Sequence, residues 1–257
     1  MCLITFAYKV HPEYRLILAS NRDEFYARPT RKAKPWFPED LPHIIAGKDL
    51  EAGGTWMGVS KNARWAALTN YRDPSWEVTN PPSRGQIVLD YLKNTMNPES
   101  FLEKLDENAK KYAGFNVLVG DHDNLFHYSN YDQQLSMIEP GVHGVSNALL
   151  DTPWPKLNEA KEALKSVINK PGKLNKNDLF NLLRDSSPAL DEHLPKTGIP
   201  YEWEKAVSSI FIRTKTYGTR CSTVLLIKHN GEVEFTERRF NGDNDEFFDE
   251  NTYSLQS

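Results

Sequence analysis

The order of the predicted strands and helices is the feature that most constrains the fold of this chain. Short apolar segments bounded by turn residues come first, and amphipathic helices follow in two separate blocks with further strands after each block. Because the helices are segregated from hairpin-like strand pairs, this order favours an α+β fold over alternating βαβ units. Two antiparallel sheets packed face to face and covered by helices, a four-layer αββα sandwich, would satisfy it.

The strand predictions rest on short apolar runs, and the helix predictions rest on capping residues and apolar faces. Helices are expected to begin near Ser83, Pro98, Thr152 and Asn177. The polar, proline-rich residues 28–42 are assigned no regular element, and the acidic residues 243–250 predict a solvated tail. Strands are predicted at residues 3–10, 15–19, 44–46, 55–59, 64–69, 116–119, 125–129, 134–138, 209–213, 222–228 and 233–237. Since no repeat or linker interrupts the chain, residues 1–257 are expected to form a single domain.

Composition excludes several classes of function. The 257 residues carry a formal net charge of -4 with no basic stripe, which argues against a nucleic-acid partner. No run approaches the roughly 20 apolar residues of a membrane span, and no basic segment with a cleavage site predicts a signal peptide. Only two cysteines occur, so a reducing compartment and a cytoplasmic location are expected. No metal-binding motif is present, and the oligomeric state stays open.

Cys2 is the first candidate for chemistry. Aminopeptidases remove Met1 when a small residue follows it, and removal would leave a thiol and a free α-amine on one residue. An α-amine has a pKa of about 7.7–8.0, so it can act as the base that activates the thiol without a histidine. The alternative is that Cys2 is a small apolar residue at the start of a strand. A Cys2–His143 dyad is a further possibility that the amine would make redundant.

A block of four polar residues, Asn21-Arg22-Asp23-Glu24, directly follows the second predicted strand. If that strand lies beside the first one, the block ends near Cys2. A carboxylate there can hold the α-ammonium, and a guanidinium can bind a substrate carboxylate or favour the thiolate. The alternative is a charged turn with a surface ion pair worth about 0–1 kcal/mol, and in isolation the block fits that alternative better.

Three later polar residues are also candidates. Asn70 ends a predicted strand and Asn147 closes the segment Gly144-Val145-Ser146-Asn147; their amides can stabilise an oxyanion. The alternative for each asparagine is a turn residue that bonds its own backbone. Arg220 precedes a late strand, and in that position it is more often solvated.

Read together, these pieces resemble the NRDE family, whose members include relatives of the animal transport and Golgi organisation protein two. The resemblance extends over nearly the whole chain. It is carried by Cys2, Asn21-Arg22-Asp23-Glu24, Ala27-Arg28-Pro29, Gly47-Lys48-Asp49 to Gly53-Gly54-Thr55-Trp56, Leu68-Thr69-Asn70-Tyr71-Arg72, Gly144-Val145-Ser146-Asn147 and Gly218-Thr219-Arg220.

The same set of residues is similar, more distantly, to the N-terminal-nucleophile (Ntn) cysteine hydrolases, which include bile-salt hydrolase and penicillin V acylase. That similarity implies catalytic roles for Cys2, Asp23, Asn70, Asn147 and Arg220. We further expect neighbouring residues to bind the substrate, namely Asn21, Arg22, Glu24, Trp56, Tyr71 and Arg72. One position departs from the pattern. The hydrolases have an arginine three residues before the aspartate, where this chain has Ser20.

Two functions follow from the resemblance. The first is a hydrolase or acyltransferase that acts on the C–N bond of a small, non-peptide acyl amide, with no cofactor and no metal. The second is a non-catalytic haem- or lipid-handling protein on the same scaffold. Haem would be the ligand in that case, held by a thiolate or histidine among aromatic residues. Trp56, Trp65, Tyr71 and Trp154 flank the motifs, although ordinary core packing also explains them.

Overall fold

The computed structural model describes residues 2–36, 41–61, 63–242 and 247–256. Its helices are α1 (Gly85–Lys93), α2 (Pro98–Asp106), α3 (Pro155–Ile168), α4 (Lys176–Leu182) and α5 (Tyr201–Ala206), with short 3-10 turns at Ala109–Lys111 and Asp191–His193. Its strands are β1 (Cys2–Tyr8), β2 (Tyr14–Phe25), β3 (Thr30–Trp36), β4 (Leu41–Asp49), β5 (Met57–Val59), β6 (Trp65–Asn70), β7 (Phe115–Gly120), β8 (Leu125–Ser129), β9 (Gln134–Met137), β10 (Gly141–Val145), β11 (Tyr217–Lys228), β12 (Val233–Arg239) and β13 (Asp249–Leu255).

These strands form two antiparallel sheets. The first sheet has the order β10-β1-β2-β11-β12-β13, and the second has the order β3-β4-β5-β6-β7-β8-β9. The second sheet is therefore built from seven strands that follow one another in sequence. The first sheet instead brings together the beginning, the middle and the end of the chain, and so it can place distant motifs side by side.

Side-chain alternation along β2 determines which residues lie between the sheets. Leu16 and Leu18 belong to the core between the two sheets, whereas Ile17 and Ala19 pack against α3 and α4. Successive strand residues point to opposite faces, so a shift in register by one residue would exchange the two sets. Each large apolar side chain fully buried in this way contributes about 1.5–3 kcal/mol, which fixes the register of β2.

The second sheet is sandwiched in the same manner. Ala67 and Leu118 face the first sheet, and Ala66 and Val117 pack against the helical layer that contains Ile87 of α1. The layers are therefore helix, sheet, sheet and helix. The predicted α+β sandwich of two antiparallel sheets covered by helices is confirmed.

Several segments differ from the sequence-based expectation, and two elements, β10 and α5, had no predicted counterpart. Residues 30–36 form β3, although proline-rich residues 28–42 were expected to lack a strand; β3 tolerates Pro35 because it is the edge of its sheet. Residues 209–213 form a turn with one isolated bridge between Arg213 and Gly218 instead of a strand. The acidic stretch expected as a tail ends in β13, while its residues 243–246 lie outside the described part of the chain.

Helix length also bears on the membrane. Throughout residues 2–36, 41–61, 63–242 and 247–256, no helix combines the length and apolar character needed to cross a bilayer.

Candidate functional site

A cavity of about 410 Å³ opens where β1 and β2 of the first sheet face β6 and the start of α1. Residues from six separate stretches line it, including Cys2, Arg22, Glu24, Trp56, Asn70 and Arg84. Sheet topology explains the convergence, because Cys2 pairs with Arg22 across β1 and β2 and the end of β6 lies on the facing sheet. The cavity therefore collects several of the polar motifs that are far apart in sequence.

The Cys2 side chain is half-buried at the start of β1. It shares the inter-sheet face with Ile4, since residues two apart on a strand point the same way. The Ser146 hydroxyl donates a 3.0 Å hydrogen bond to the Cys2 carbonyl, and the backbone N–H of Asp23 donates to the Cys2 sulfur. Burial raises the pKa of the Cys2 thiol, and the nearby positive charge of Arg22 opposes that effect. With Met1 in place, the thiol therefore requires a base to become a strong nucleophile.

The Asp23 carboxylate lies on the helix-covered face of the same sheet. It accepts a 2.7 Å hydrogen bond from the Thr219 hydroxyl, and the Tyr217 hydroxyl donates to the Asp23 carbonyl at 2.9 Å. Burial raises the pKa of Asp23, while the charge of Lys156 on α3 acts in the opposite direction. Burial also lowers the pKa of Lys156, to about 8. The Lys156 ammonium donates a hydrogen bond to the Val207 carbonyl at 3.1 Å.

The two candidate asparagines have different environments. Asn147 is fully buried, and its amide donates a 3.0 Å hydrogen bond to the backbone carbonyl of Asn70. Asn70 is partly exposed and lines the cavity. Within the described ranges, the side chain of Asn70 makes no hydrogen bond to protein, so its amide N–H groups are available to a ligand.

One wall of the cavity consists of interlocked opposite charges. Arg28 donates to Asp49 at 2.7 Å and lies 3.8 Å from Glu24. Arg22 is 3.9 Å from Glu24 and 3.8 Å from Asp49. Its guanidinium also stacks 4.2 Å above the Trp56 ring, a favourable arrangement of cation and aromatic face. These contacts hold the end of β2 against the end of β4.

Two glycines allow the loop before Trp56 to form the adjoining wall. A Cβ atom on Gly47 would lie 2.2 Å from the Trp56 ring, and one on Gly54 would lie 2.4 Å from the backbone of Gly85. The Thr55 N–H donates to the Gly85 carbonyl at 3.1 Å. The motif that ends in Trp56 thus requires backbone contact with the first residue of α1, which only glycine permits.

Other residues expected in the site lie outside the cavity lining. Arg220 donates to the backbone carbonyls of Phe25 and Arg28. The Asn21 amide donates to two backbone carbonyls on the helical side. Tyr71 stacks on an aromatic neighbour 3.9 Å away, and Arg72 forms a buried ion pair with Glu204. Each of these side chains supports the segments around the cavity instead of pointing into it.

The aromatic residues considered for haem do not form one pocket. Trp56 lines the cavity, whereas Trp65 belongs to the core between the sheets. Trp154 packs on the guanidinium of Arg72 and Tyr71 stacks elsewhere. Over the part of the chain that is described, no three histidine, cysteine, aspartate or glutamate side chains cluster as a metal site would require.

Several residues in or near the cavity escaped the sequence reasoning. Arg28 and Asp49 belong to the motifs that carry the resemblance, but no role was predicted for either residue. Their opposite charges within those motifs could have indicated an ion pair. Arg84 was assigned only to a helix start, and Lys156 lies in an amphipathic helix that predicts a core-facing or solvated lysine equally well. Neither of these two had a local signal, because tertiary packing alone brings them to the site.

The fold and the position of Cys2 at the start of a central strand define a protein with the Ntn-hydrolase fold. A solved structure of the C2A mutant of conjugated bile acid hydrolase from Clostridium perfringens has the same fold, with a TM-score of 0.53 and 10% sequence identity over 100% of this chain and 97% of that one. Identity at this level concerns the fold alone.

The sequence identifies the family more specifically. Residues 1–242 match the family model described as Transport and Golgi organisation 2. The Transport and Golgi organization 2 homolog of Mus musculus is 36% identical over 279 residues, covering 100% of both chains. The corresponding protein of Bos taurus is 35% identical over 94% of each. This chain belongs to the Transport and Golgi organisation 2 family, which confirms the resemblance to the NRDE family.

Proposed function

We propose that this chain is a hydrolase or acyltransferase that uses Cys2, after removal of Met1, to cleave the C–N bond of a small, non-peptide amide. The observation that carries the proposal is the presence of the Cys2 thiol and the uncommitted Asn70 amide in one cavity. A nucleophile and an oxyanion donor in the same cleft are what acyl transfer requires. The volume of about 410 Å³ suits a small molecule.

The α-amine of Cys2 supplies the base. It accepts the thiol proton as the sulfur bonds to the acyl carbon, and the amide of Asn70 stabilises the resulting oxyanion. When the C–N bond breaks, the α-ammonium donates that proton to the leaving nitrogen, and a thioester remains on Cys2. Water or an acceptor amine then attacks the thioester, gives a proton to the α-amine, and releases the acyl group while the proton returns to sulfur.

The remaining site residues act by positioning. Asp23 lies close enough for its charge to act on the thiol, and we assign it the orientation of the α-ammonium. Asn147 fixes the backbone of Asn70 through its 3.0 Å hydrogen bond. Arg220 holds the turn after β2 through the carbonyls of Phe25 and Arg28. These roles keep Asn147 and Arg220 in the site without contact with substrate.

Acyl-enzyme trapping tests the proposal. The purified protein is analysed by intact mass to establish loss of Met1, and is then treated with p-nitrophenyl acetate and a panel of N-acyl amides. Acylation should map to Cys2, persist in Cys221→Ser, and disappear with turnover in Cys2→Ala. Full turnover by Cys2→Ala, or a retained Met1 in the active protein, would contradict the mechanism, because an amide nitrogen cannot serve as the base.

A further inference from the structure

The three guanidinium groups in the cavity are unequally neutralised. Arg28 and Arg22 are ion-paired with Asp49 and Glu24 on one wall. Arg84 lines the same cavity beside Gly85, and its hydrogen bond in the described ranges goes to the Gly114 carbonyl, at 2.8 Å. No carboxylate of those ranges lies within ion-pair distance of it.

Arg84 also shares its cavity with the proposed nucleophile, Cys2. It immediately precedes α1, and the contact of Gly85 with Thr55 holds this helix start against the cavity. The charges that act most strongly on Arg84 are those of Cys2 and Glu24, and burial is the first cause of its lowered pKa. A half-buried guanidinium that is bonded to one carbonyl retains donor groups that favour an anion. The N-terminal end of α1 adds positive potential in the same direction.

We infer that Arg84 binds an anionic group of the substrate, a carboxylate or a phosphate, close to the bond that Cys2 attacks. The inference rests on the proposed function, which it deepens by naming the substrate class. The substrate is then an amide whose acyl part or amine part carries an anion a few bonds away from the carbonyl. Arg84 contributes specificity through a charge-assisted hydrogen bond, whereas the chemistry belongs to Cys2.

Alkylation of Cys2 tests this assignment without requiring any amide to be cleaved. Iodoacetate and iodoacetamide have similar size and both alkylate thiolates, but only iodoacetate carries a negative charge. The ratio of their rate constants at Cys2 cancels differences in thiolate content. Peptide mapping in a Cys221→Ser background assigns the label, and N-acetylcysteine supplies the reference ratio in water.

The ratio for the parent protein should exceed that of N-acetylcysteine by about tenfold, the factor that corresponds to one charge-assisted hydrogen bond. Arg84→Gln should return it to the reference, Arg84→Lys should keep much of the preference, and Lys93→Gln, at the exposed far end of α1, should leave it unchanged. The assignment would be overturned if the ratio of the iodoacetate rate to the iodoacetamide rate in Arg84→Gln equals that of the parent, whether both rates are unchanged or both fall equally. Equal loss would mean that Arg84 acts only on the thiolate.

Competing anions separate the two headgroups. Acetate and inorganic phosphate are titrated against alkylation of Cys2 by iodoacetamide, at constant ionic strength. Stronger protection by phosphate identifies a phosphate-bearing substrate, and stronger protection by acetate identifies a carboxylate. Protection should be lost in Arg84→Gln, and protection that persists in this variant would contradict the inference. Because these readouts need only a reactive thiol, an absence of amidase activity would defeat the proposed function and leave the anion site measurable.

Discussion

Asn147 donates a hydrogen bond from its side-chain amide to the backbone carbonyl of Asn70, at 3.0 Å. The bond joins the residues that follow β10 of the first sheet to the end of β6 of the second sheet. Asn147 is fully buried, while the side chain of Asn70 lines the cavity. The two asparagines therefore differ in position: Asn147 fixes a backbone carbonyl, whereas the Asn70 side chain is exposed to the cavity.

Replacement of each asparagine by alanine should separate these roles. Asn70→Ala should slow acylation of Cys2 by p-nitrophenyl acetate about 100-fold, the loss typical of one oxyanion donor, and change the free energy of unfolding by less than about 1 kcal/mol. Asn147→Ala should cost about 1–3 kcal/mol of stability, because the fully buried Asn147 side chain and its hydrogen bond to the Asn70 carbonyl are lost. Urea denaturation and stopped-flow acylation measure both. A stable Asn147→Ala with the kinetic defect of Asn70→Ala would contradict this division.

The two cysteines should differ in reactivity. Cys221 is buried, and burial together with the adjacent Glu237 carboxyl raises its thiol pKa well above the ordinary value. Cys221 therefore remains a protonated thiol at about pH 8, and it reacts slowly because only the thiolate is a strong nucleophile. Iodoacetamide should label Cys2 more than about tenfold faster than Cys221 in the processed protein, as measured by peptide mapping over time. Equal labelling of the folded protein would show that Cys2 lacks activation by its amine.

Periodicity predicted the layers of this fold well, because a strand that packs on both faces needs apolar residues such as Leu16, Ile17 and Leu18 in succession. It could not predict β3, whose side chains are mostly partly exposed and include Pro35 at an edge. Edge strands bury less apolar surface, so their sequences carry a weaker pattern. The same reason hid β13, where partly buried residues alternate with exposed ones and most side chains are polar or charged.

The site was predictable only in part. Cys2, Arg22 and Glu24 were named from the sequence because a cysteine after the first methionine and a polar block after an apolar strand are visible in one dimension. Residues such as Lys156 and Arg84 reach the site through packing between elements that are far apart in sequence. Asn147 was expected as an oxyanion donor, yet its amide is engaged by the Asn70 backbone, a contact that no local pattern could reveal.

Lys156 should make stability depend on pH in the alkaline range. Its pKa is lowered to about 8 by burial in the folded state, whereas an unfolded lysine has a pKa of about 10.4. Between these values the unfolded chain binds a proton that the folded chain lacks, so this contribution to stability increases as pH rises. The unfolding free energy of wild type minus that of Lys156→Met should therefore increase by about 1 kcal/mol for each pH unit in this range. Lys165→Met, exposed on the same helix, should show no such slope, and a flat difference for Lys156→Met would contradict the burial effect.

Gly54 should be far less replaceable than its neighbour. In Gly54→Ala the new Cβ would meet the Gly85 backbone at 2.4 Å, so the loop and α1 must separate and the cavity must change shape. We expect a loss of about 1–3 kcal/mol, as for overpacking elsewhere, with slower alkylation of Cys2. Gly53→Asn is the matched control, since Gly53 has open space and a φ of 79° that asparagine tolerates. Equal effects of both substitutions would argue against the packing explanation.

The buried ion pair between Arg72 and Glu204 should behave as a unit. Arg72→Met leaves the Glu204 carboxylate buried beside Thr197, whose hydroxyl donates to it at 2.6 Å, but without the guanidinium that pairs with it. Loss of one partner of such a pair costs about 3–5 kcal/mol. The double variant Arg72→Met/Glu204→Leu removes both charges and should be more stable than Arg72→Met alone.

A double-mutant cycle by urea denaturation measures this coupling, with Arg72→Met, Glu204→Leu and the double variant compared with wild type. Additive losses would mean that the pair contributes no coupling and that Arg72 acts through its packing on Trp154, where the guanidinium lies 4.9 Å from the ring. The backbone N–H of Arg72 donates to the Asn147 carbonyl at 2.8 Å. Disruption of the ion pair should therefore also disturb the hydrogen bond from Asn147 to Asn70. Acylation of Cys2 should slow in Arg72→Met and recover in part in the double variant.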